Sequence, residues 1–523
     1  LEPIVGSMYT SVFSASRYGH IINGKEVFSE KMTSVFNPAT GLHLADVPVL
    51  SPHQLDEAVN AAELAFPAWA SKTYEQRGSV LLGMADIIET HASDYKELLT
   101  SEQGKPHSEA MYEIMGAAHW FREIACLRLP EIIHEDTPER EVVTKHVPLG
   151  VAAAIVPWNF PILLAVWKIA PALLAGNTIL VKPSPWTPLT TLRIIADLQR
   201  VLPPGVLSVV SGDEDLGPLI TTHPRIKKIA FTGSIQTGKR IMQDASQNLK
   251  RITLELGGND PMIILPSVNP EAIAPNIFWG AFTNNGQFCI AGMCLLPSAF
   301  TSITQFTNQC ETPWLRTLAL LWLVMVLKRA RDLDQFKITS CEPSYAKASV
   351  LTYNNLGTSL VSFNKLREIF EDTKARKCKF ALGGDFPQAM SDRASNQDTQ
   401  PCGLFVPIAI VDDPPEDSRV VQDEQFGPII PLLRWQDEAD VIHRASFGLG
   451  ASVWGSDLTQ ATRIASQIES GNVWVNEIHK FGPTIPGGGH KQSGIGVENG
   501  VAGLKEWTNY QTISINKGDI TAM

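Results

Sequence analysis

The feature that most constrains this chain is a rhythm that begins at Gly150. Short apolar runs, "VAAAIVPW" (151–158), "NTILVKPS" (177–184), "GVLSVVSG" (205–212), "IKKIAFTGS" (226–234) and "RITLELGG" (251–258), recur along it. Helix-compatible stretches such as "PILLAVWKIAPALLAG", "PLTTLRIIADLQRVL" and "TGKRIMQDASQNL" stand between most of them. Apolar runs bounded by Gly and Pro, alternating with 3.6-period segments, predict a parallel sheet covered on both faces by helices. In such sheets ligands bind beyond the carboxyl ends of the strands. The unusual polar residues cluster there: Pro157-Trp158-Asn159, Lys182-Pro183-Ser184, Ser211-Gly212, Thr232-Gly233-Ser234 and Glu255-Leu256-Gly257-Gly258.

The flanks extend this α/β reading. Residues 54–125 are helical by pattern, and "EREVVTKHV" (139–147) alternates like a strand. Beyond residue 404 come the strands "LFVPIAIV" and "GPIIPLLRW", the helices "DEADVIHRASF" and "LTQATRIASQIES", and a last strand "YQTISI". Residues 293–360 break the pattern: they lack steady periodicity and look composed differently from their neighbours.

At 523 residues the chain is too long for one core and suggests two or three domains. A net charge of −11 argues against nucleic acid or an anionic membrane surface as the partner. Seven scattered cysteines give no disulfide framework, so a reducing, cytoplasmic location is expected. The first twenty residues lack the basic patch and apolar core of a secretory signal. The chain does not begin with Met, and Met8 is a candidate start. "DITAM" at the other end matches no targeting address. The apolar run "LALLWLVMVL" is short against the roughly 20 residues that span a bilayer.

Five clusters carry chemistry. Asn159 follows a strand, where its amide can donate to a developing oxyanion or simply hold a turn. Lys182 ends a strand, either solvated or reaching a ribose or phosphate. "FTGSIQTGKR" reads as strand, glycine turn and helix, with backbone N–H groups and Ser234 suited to a pyrophosphate, although it is not G-x-G-x-x-G. "SGDEDLG", with Gly212 and Gly217, is a fainter signal of the same kind. Glu255 ends a strand before two glycines, as a general base beside a close ligand or as one half of a salt bridge. Cys289 in "NNGQFCIAG" is either a small buried hydrophobe or a nucleophile. An oxyanion donor, a thiol, a carboxylate and a dinucleotide cradle together specify aldehyde oxidation through a thioester.

"PWNFP" (157–161), "KPSPWTP" (182–188), "FTGS" (231–234), "LELGGNDP" (254–261), "GQFC" (286–289), "EQFGP" (424–428) and "GGGHKQSGIGVENG" (487–500) resemble the aldehyde dehydrogenase superfamily, in that family's order, over about 20–292 and 363–515. The resemblance implies a doubly wound parallel-sheet cofactor domain (20–130 and 149–257), an α/β catalytic domain (258–495), and a small β bridge (131–148 and 504–516) for assembly as a homodimer or homotetramer. It implies Cys289 as nucleophile, Glu255 as the base for the deacylating water, Asn159 with the Cys289 N–H as oxyanion hole, and Lys168 and Glu498 as a proton relay. NAD would meet Lys182 and Ser184 at the adenosine ribose, Gly233 and Ser234 at the pyrophosphate, and Glu424 and Phe426 at the nicotinamide ribose. Val156, Pro157, Trp158, Phe231, Thr232, Leu256 and Gly257 complete the wall. No metal is expected. The substrate is a small-molecule aldehyde, facing the apolar Leu163, Leu164, Trp167, Phe288 and Ile290.

Three departures stand out. Pro185 replaces a carboxylate that repels a 2′-phosphate, so NADP should be accepted alongside NAD. Gly487 replaces an aromatic, which implies a looser substrate entrance. After Ala291 the expected strand and helix are unrecognisable until Phe363, and residues 293–360 are read as including mis-spliced or frame-shifted sequence that leaves the sheet behind Cys289 unpaired. Two other functions stay open: a catalytically impaired homologue acting in binding or assembly, and a semialdehyde enzyme that uses coenzyme A instead of water. Retention of Glu255 argues against the second.

Overall fold

A computed structural model of the chain describes residues 17–297, 359–386, 403–435, 437–438 and 447–518. The five apolar runs form the parallel heart of an eight-stranded sheet. Across it lie Lys25–Val27, His20–Ile22, Leu207–Val209, Thr178–Lys182, Val151–Ile155, Lys228–Thr232, Arg251–Glu255 and Gly494–Ile495. Val151–Ile155, Thr178–Lys182 and Lys228–Thr232 are buried at every position, which explains why they read as continuous rather than alternating. In chain order the parallel strands run third, second, first, fourth, fifth. The order therefore reverses between Val151–Ile155 and Lys228–Thr232, and a crevice opens at such a switch point. Register brings Ile155 beside both Lys182 and Phe231, and Thr232 beside Glu255.

The N-terminal helical region resolves into Pro52–Ala70, Tyr74–Thr90, Ala92–Gln103 and His107–Ala125. The first two open with capping boxes, Ser51 with Gln54 and Thr73 with Gln76. Pro161–Ala175 begins with Pro161 at its first turn and ends at Gly176 in the left-handed region (φ 99°). Only Trp167 of that helix is not buried. It is a core element, and the side chains at its start are fixed by packing.

A second sheet of seven strands holds, in order, Lys379–Leu382, Ala409–Asp412, Ile429–Trp435, Gly292–Pro297, Asp260–Ile264, Gly450–Trp454 and Asn472–Val475. This corrects one expectation. The sheet behind Cys289 is not unpaired: Gly292–Pro297 pairs in parallel with Asp260–Ile264 on one edge and Ile429–Trp435 on the other. Helical structure is already present at Leu360–Ala375, ahead of Phe363. The rest of the atypical segment, 298–358, lies outside the described residues, as does most of the helix expected at 437–447.

A third, antiparallel sheet joins Thr508–Asn516, Arg140–Pro148 and Ile132–Asp136. Every residue of Thr508–Asn516 after the first is exposed, including Tyr510, Ile513 and Ile515. Among the described residues no helix is long and apolar enough to cross a membrane.

Candidate active site

The helix Pro270–Phe282 runs into a short turn, Thr283–Gly286, in which Asn284, Asn285 and Gly286 are all left-handed (φ 50°, 62° and 68°). Asn and Gly are the residues that tolerate that region. The turn is closed by the Gln287 N–H donating to the Asn284 carbonyl (3.0 Å), and Ala291 N–H donates to Phe288 (2.9 Å). His479 Nε2 donates to the Ile290 carbonyl at 2.8 Å. Cys289 is thus held in a tight loop directly before the central strand of the second sheet. A Cβ at Gly258 would collide with the Cys289 carbonyl, and one at Gly257 would lie 2.5 Å from the Glu424 carboxylate. The paired glycines after Glu255 are explained by these two close approaches.

Two cavities meet at this thiol. The larger, about 680 Å³, is lined by Glu255, Leu163, Leu164, Trp167, Phe288 and Ile290, with Gly487 among the other wall residues. The smaller, about 190 Å³, is lined by Pro157, Trp158, Thr232, Gly233, Ser234, Leu256, Gly257, Glu424 and Phe426. Asn159 and Cys289 belong to both walls. Trp158 and Phe426 meet edge to face at 5.4 Å, and Phe426 itself is left-handed (φ 53°).

Asn159 is buried, and its amide Nδ2 donates to the Gln287 carbonyl at 3.1 Å. The amide has a second N–H to offer. Glu255 Oε1 is buried with no hydrogen-bond partner among the described residues. Burial, then the Glu498 charge, raise the Glu255 pKa well above the usual carboxylate value, and Lys168 opposes them. Lys168 Nζ lies 2.5 Å from Glu498 Oε1, while Glu498 Oε2 is buried without a partner among the described residues. Cys289 is pushed well above an ordinary thiol by burial, then by the charges of Glu255, Asp260 and Glu424.

The other sequence-derived residues divide. Ser234 caps the helix Ile235–Ser246, its side chain accepting from Thr237 N–H. Phe231 packs its ring under Gly233, where a Cβ would strike it. Lys182, buried and lowered to about 8 by that burial, stands one strand away, and the Val156 N–H donates to its carbonyl at 3.0 Å. Val156, Lys182, Ser184 and Pro185 line neither cavity. Gly212 and Gly217 do not either, and Gly217 is inside the helix Leu216–Thr222 with open space beside it. The sequence reading missed Ser362, Lys365 and Gln425 in the smaller wall, and Trp279, Trp474, His479 and Phe481 in the larger. Burial lowers His479 to about 4, so it is neutral, and its ring lies 4.7 Å from that of Phe288. Among the described residues no group of His, Cys, Asp or Glu is arranged to hold a metal ion.

The model of the aldehyde dehydrogenase family matches residues 26–299 and 358–513. The gap in that match therefore begins after the strand Gly292–Pro297, not before it. The aldehyde dehydrogenase LUC3 of a Fusarium species is 36% identical, covering 96% of this chain and 99% of its own. Phenylacetaldehyde dehydrogenase of Pseudomonas fluorescens is 34% identical, covering 93% of each chain. The crystal structure of betaine aldehyde dehydrogenase from Staphylococcus aureus in complex with NAD+ superposes with a TM-score of 0.83, at 28% identity, over 96% of this chain and 95% of that one. With the family model matched over most of the chain and a relative 36% identical over 96% of it, this chain belongs to the aldehyde dehydrogenase family.

Proposed function

We propose that the chain oxidises an aldehyde to a carboxylic acid with NAD+, through a thiohemiacetal and then a thioester on Cys289. The observation that carries this reading is the thiol shared by two cavities, with Asn159 common to both walls and Glu255 in one. Sγ adds to the carbonyl carbon as its proton passes to Glu255, whose carboxyl lines the same cavity. The carbonyl oxygen takes the negative charge and accepts from the Asn159 amide and the Cys289 N–H. NAD+ held in the smaller cavity would supply the acceptor for the hydride of the tetrahedral carbon. Glu255, having passed its proton toward the free oxygen of Glu498 beside Lys168, then deprotonates a water. That water adds to the thioester, the C–S bond breaks, and the acid and thiol are released.

Glu424, Phe426, Trp158, Leu256 and Gly257 would hold the nicotinamide end, with Gly233 and Ser234 at the pyrophosphate and Lys182 and Ser184 at the adenosine ribose. Gly257 lets the Glu424 carboxylate lie against the backbone in the wall of the smaller cavity, where Gly233 and Ser234 open a helix suited to an anion. With Pro185 in place of a carboxylate, NADP+ is accepted with weaker discrimination than usual. The eight-stranded sheet (20–130 and 149–257) would form the cofactor domain and 258–495 the catalytic domain. The exposed third sheet (131–148 and 504–516) would pair copies into a dimer or tetramer. The aromatic wall of the larger cavity favours apolar or aromatic aldehydes, in keeping with the phenylacetaldehyde-oxidising relative. Three free cysteines among the described residues suit a reducing, cytoplasmic setting.

Purified protein given phenylacetaldehyde and either NAD+ or NADP+ should form reduced cofactor and acid in equal amounts. The preference for NAD+ should be below about a thousandfold in kcat/KM. The unmatched residues 300–357 favour a second reading, an impaired homologue with an assembly role. No reduced cofactor with a panel of aldehydes would decide for that reading.

A further inference from the structure

Between the helices Ala92–Gln103 and His107–Ala125 the chain buries an ion pair that touches neither cavity. Lys105 Nζ lies 2.5 Å from Glu113 Oε2, with side chains 1% and 0% exposed. A buried pair gives little net stability over an apolar replacement, so its position asks for another explanation. Both partners reach the start of the helix that follows Asn159. Glu113 Oε1 accepts the N–H groups of Ile162 (2.8 Å) and Leu163 (3.2 Å), two first-turn donors that have no partner within the helix. Lys105 Nζ donates a second bond to the Asn159 carbonyl (2.9 Å) and sits 4.1 Å over the Phe160 ring.

The same carbonyl ties into the nucleophile loop. Asn284 Nδ2 donates to it at 3.1 Å and also to the Gln287 carbonyl at 3.1 Å, the acceptor of the Asn159 amide itself. Residues 159–163 are therefore held through their own backbone by Lys105, Glu113 and Asn284. A catalytic donor displaced by a fraction of an ångström loses much of its effect on the transition state. We propose that Lys105 and Glu113 are positioning residues that fix the Asn159 amide over the reacting carbon. The inference rests on the oxyanion role given to Asn159 above.

A double-mutant cycle tests it, with phenylacetaldehyde and NAD+ on the full-length chain. Lys105→Met alone should lower kcat/KM about tenfold to a hundredfold, mainly in the first-turnover rate of NADH formation, with the Kd for NAD+ changed less than about threefold. Added to Asn159→Ala, the same change should cost less than about threefold, because the group it positions is gone. Glu113→Gln, nearly isosteric, should show the same non-additivity and carries the test if Lys105→Met does not fold. No loss in the single variant, or equal losses in both backgrounds, overturns the inference while the proposed reaction stands. A wild-type chain that oxidises no aldehyde overturns both.

Discussion

Two buried lysine–carboxylate pairs, equal in length, differ in how far their oxygens are bonded. Lys105–Glu113 and Lys168–Glu498 each have N···O separations of 2.5 Å and side chains no more than 6% exposed. Around Glu113 every carboxylate oxygen is bonded, one to Lys105 and one to two backbone N–H groups. Around Glu498 one oxygen has no partner among the described residues, and its charge raises the pKa of Glu255, whose Oε1 is unpartnered too. A satisfied buried network resists any change of charge and can serve only to hold geometry. An unsatisfied one has somewhere to put a proton. Distance and burial alone would have ranked the pairs as equals; the count of unfilled acceptors separates them.

Substitutions can break that contrast at several depths. The largest effect should come where the unsatisfied network meets the proposed nucleophile: Cys289→Ala should lower steady-state turnover about ten-thousandfold or more, with NAD+ binding retained, measured by NADH formation and equilibrium titration. Glu255→Gln should lower steady-state turnover by about a hundredfold to ten-thousandfold. It should also leave acyl-enzyme trapped, seen by mass spectrometry as an adduct on Cys289 after one turnover. Lys168→Met should be milder, about tenfold, and diagnostic in its pH dependence. Lys168 lowers the Glu255 pKa. Removing its charge lets that value rise further, so the rising limb of deacylation against pH should move to higher pH. Lys105→Met should leave the position of that limb unchanged, and a matching shift would erase the distinction between the pairs.

The halves of the site differ in how far the sequence could reveal them. The strand ends carrying Asn159, Gly233 and Glu255 were legible because buried parallel strands leave long apolar runs, and the polar residues that interrupt them stand out; Lys182 stood out in the same way but lines neither cavity. Cys289 was legible through its flanking Asn-Asn-Gly, a left-handed signature in the structure. The following strand was not: "GMCLLP" has no β-branched residue, and its strand state rests on a neighbour along each edge. Lys105 and Glu113 were invisible for a related reason. A Gly-Lys-Pro turn between helices reads as surface until tertiary packing buries it. His479, Trp474 and Phe481 join the wall from far along the chain, and no local pattern marks them for it.

The left-handed run at 284–286 bears on how this enzyme can change over time. Side chains branched at Cβ are close to forbidden at three successive positions. A saturation library there should return almost nothing but asparagine, aspartate and glycine among folded clones. The loop that delivers the sulfur is in that sense a fixed point, and new substrate preferences must arise from the cavity walls around it.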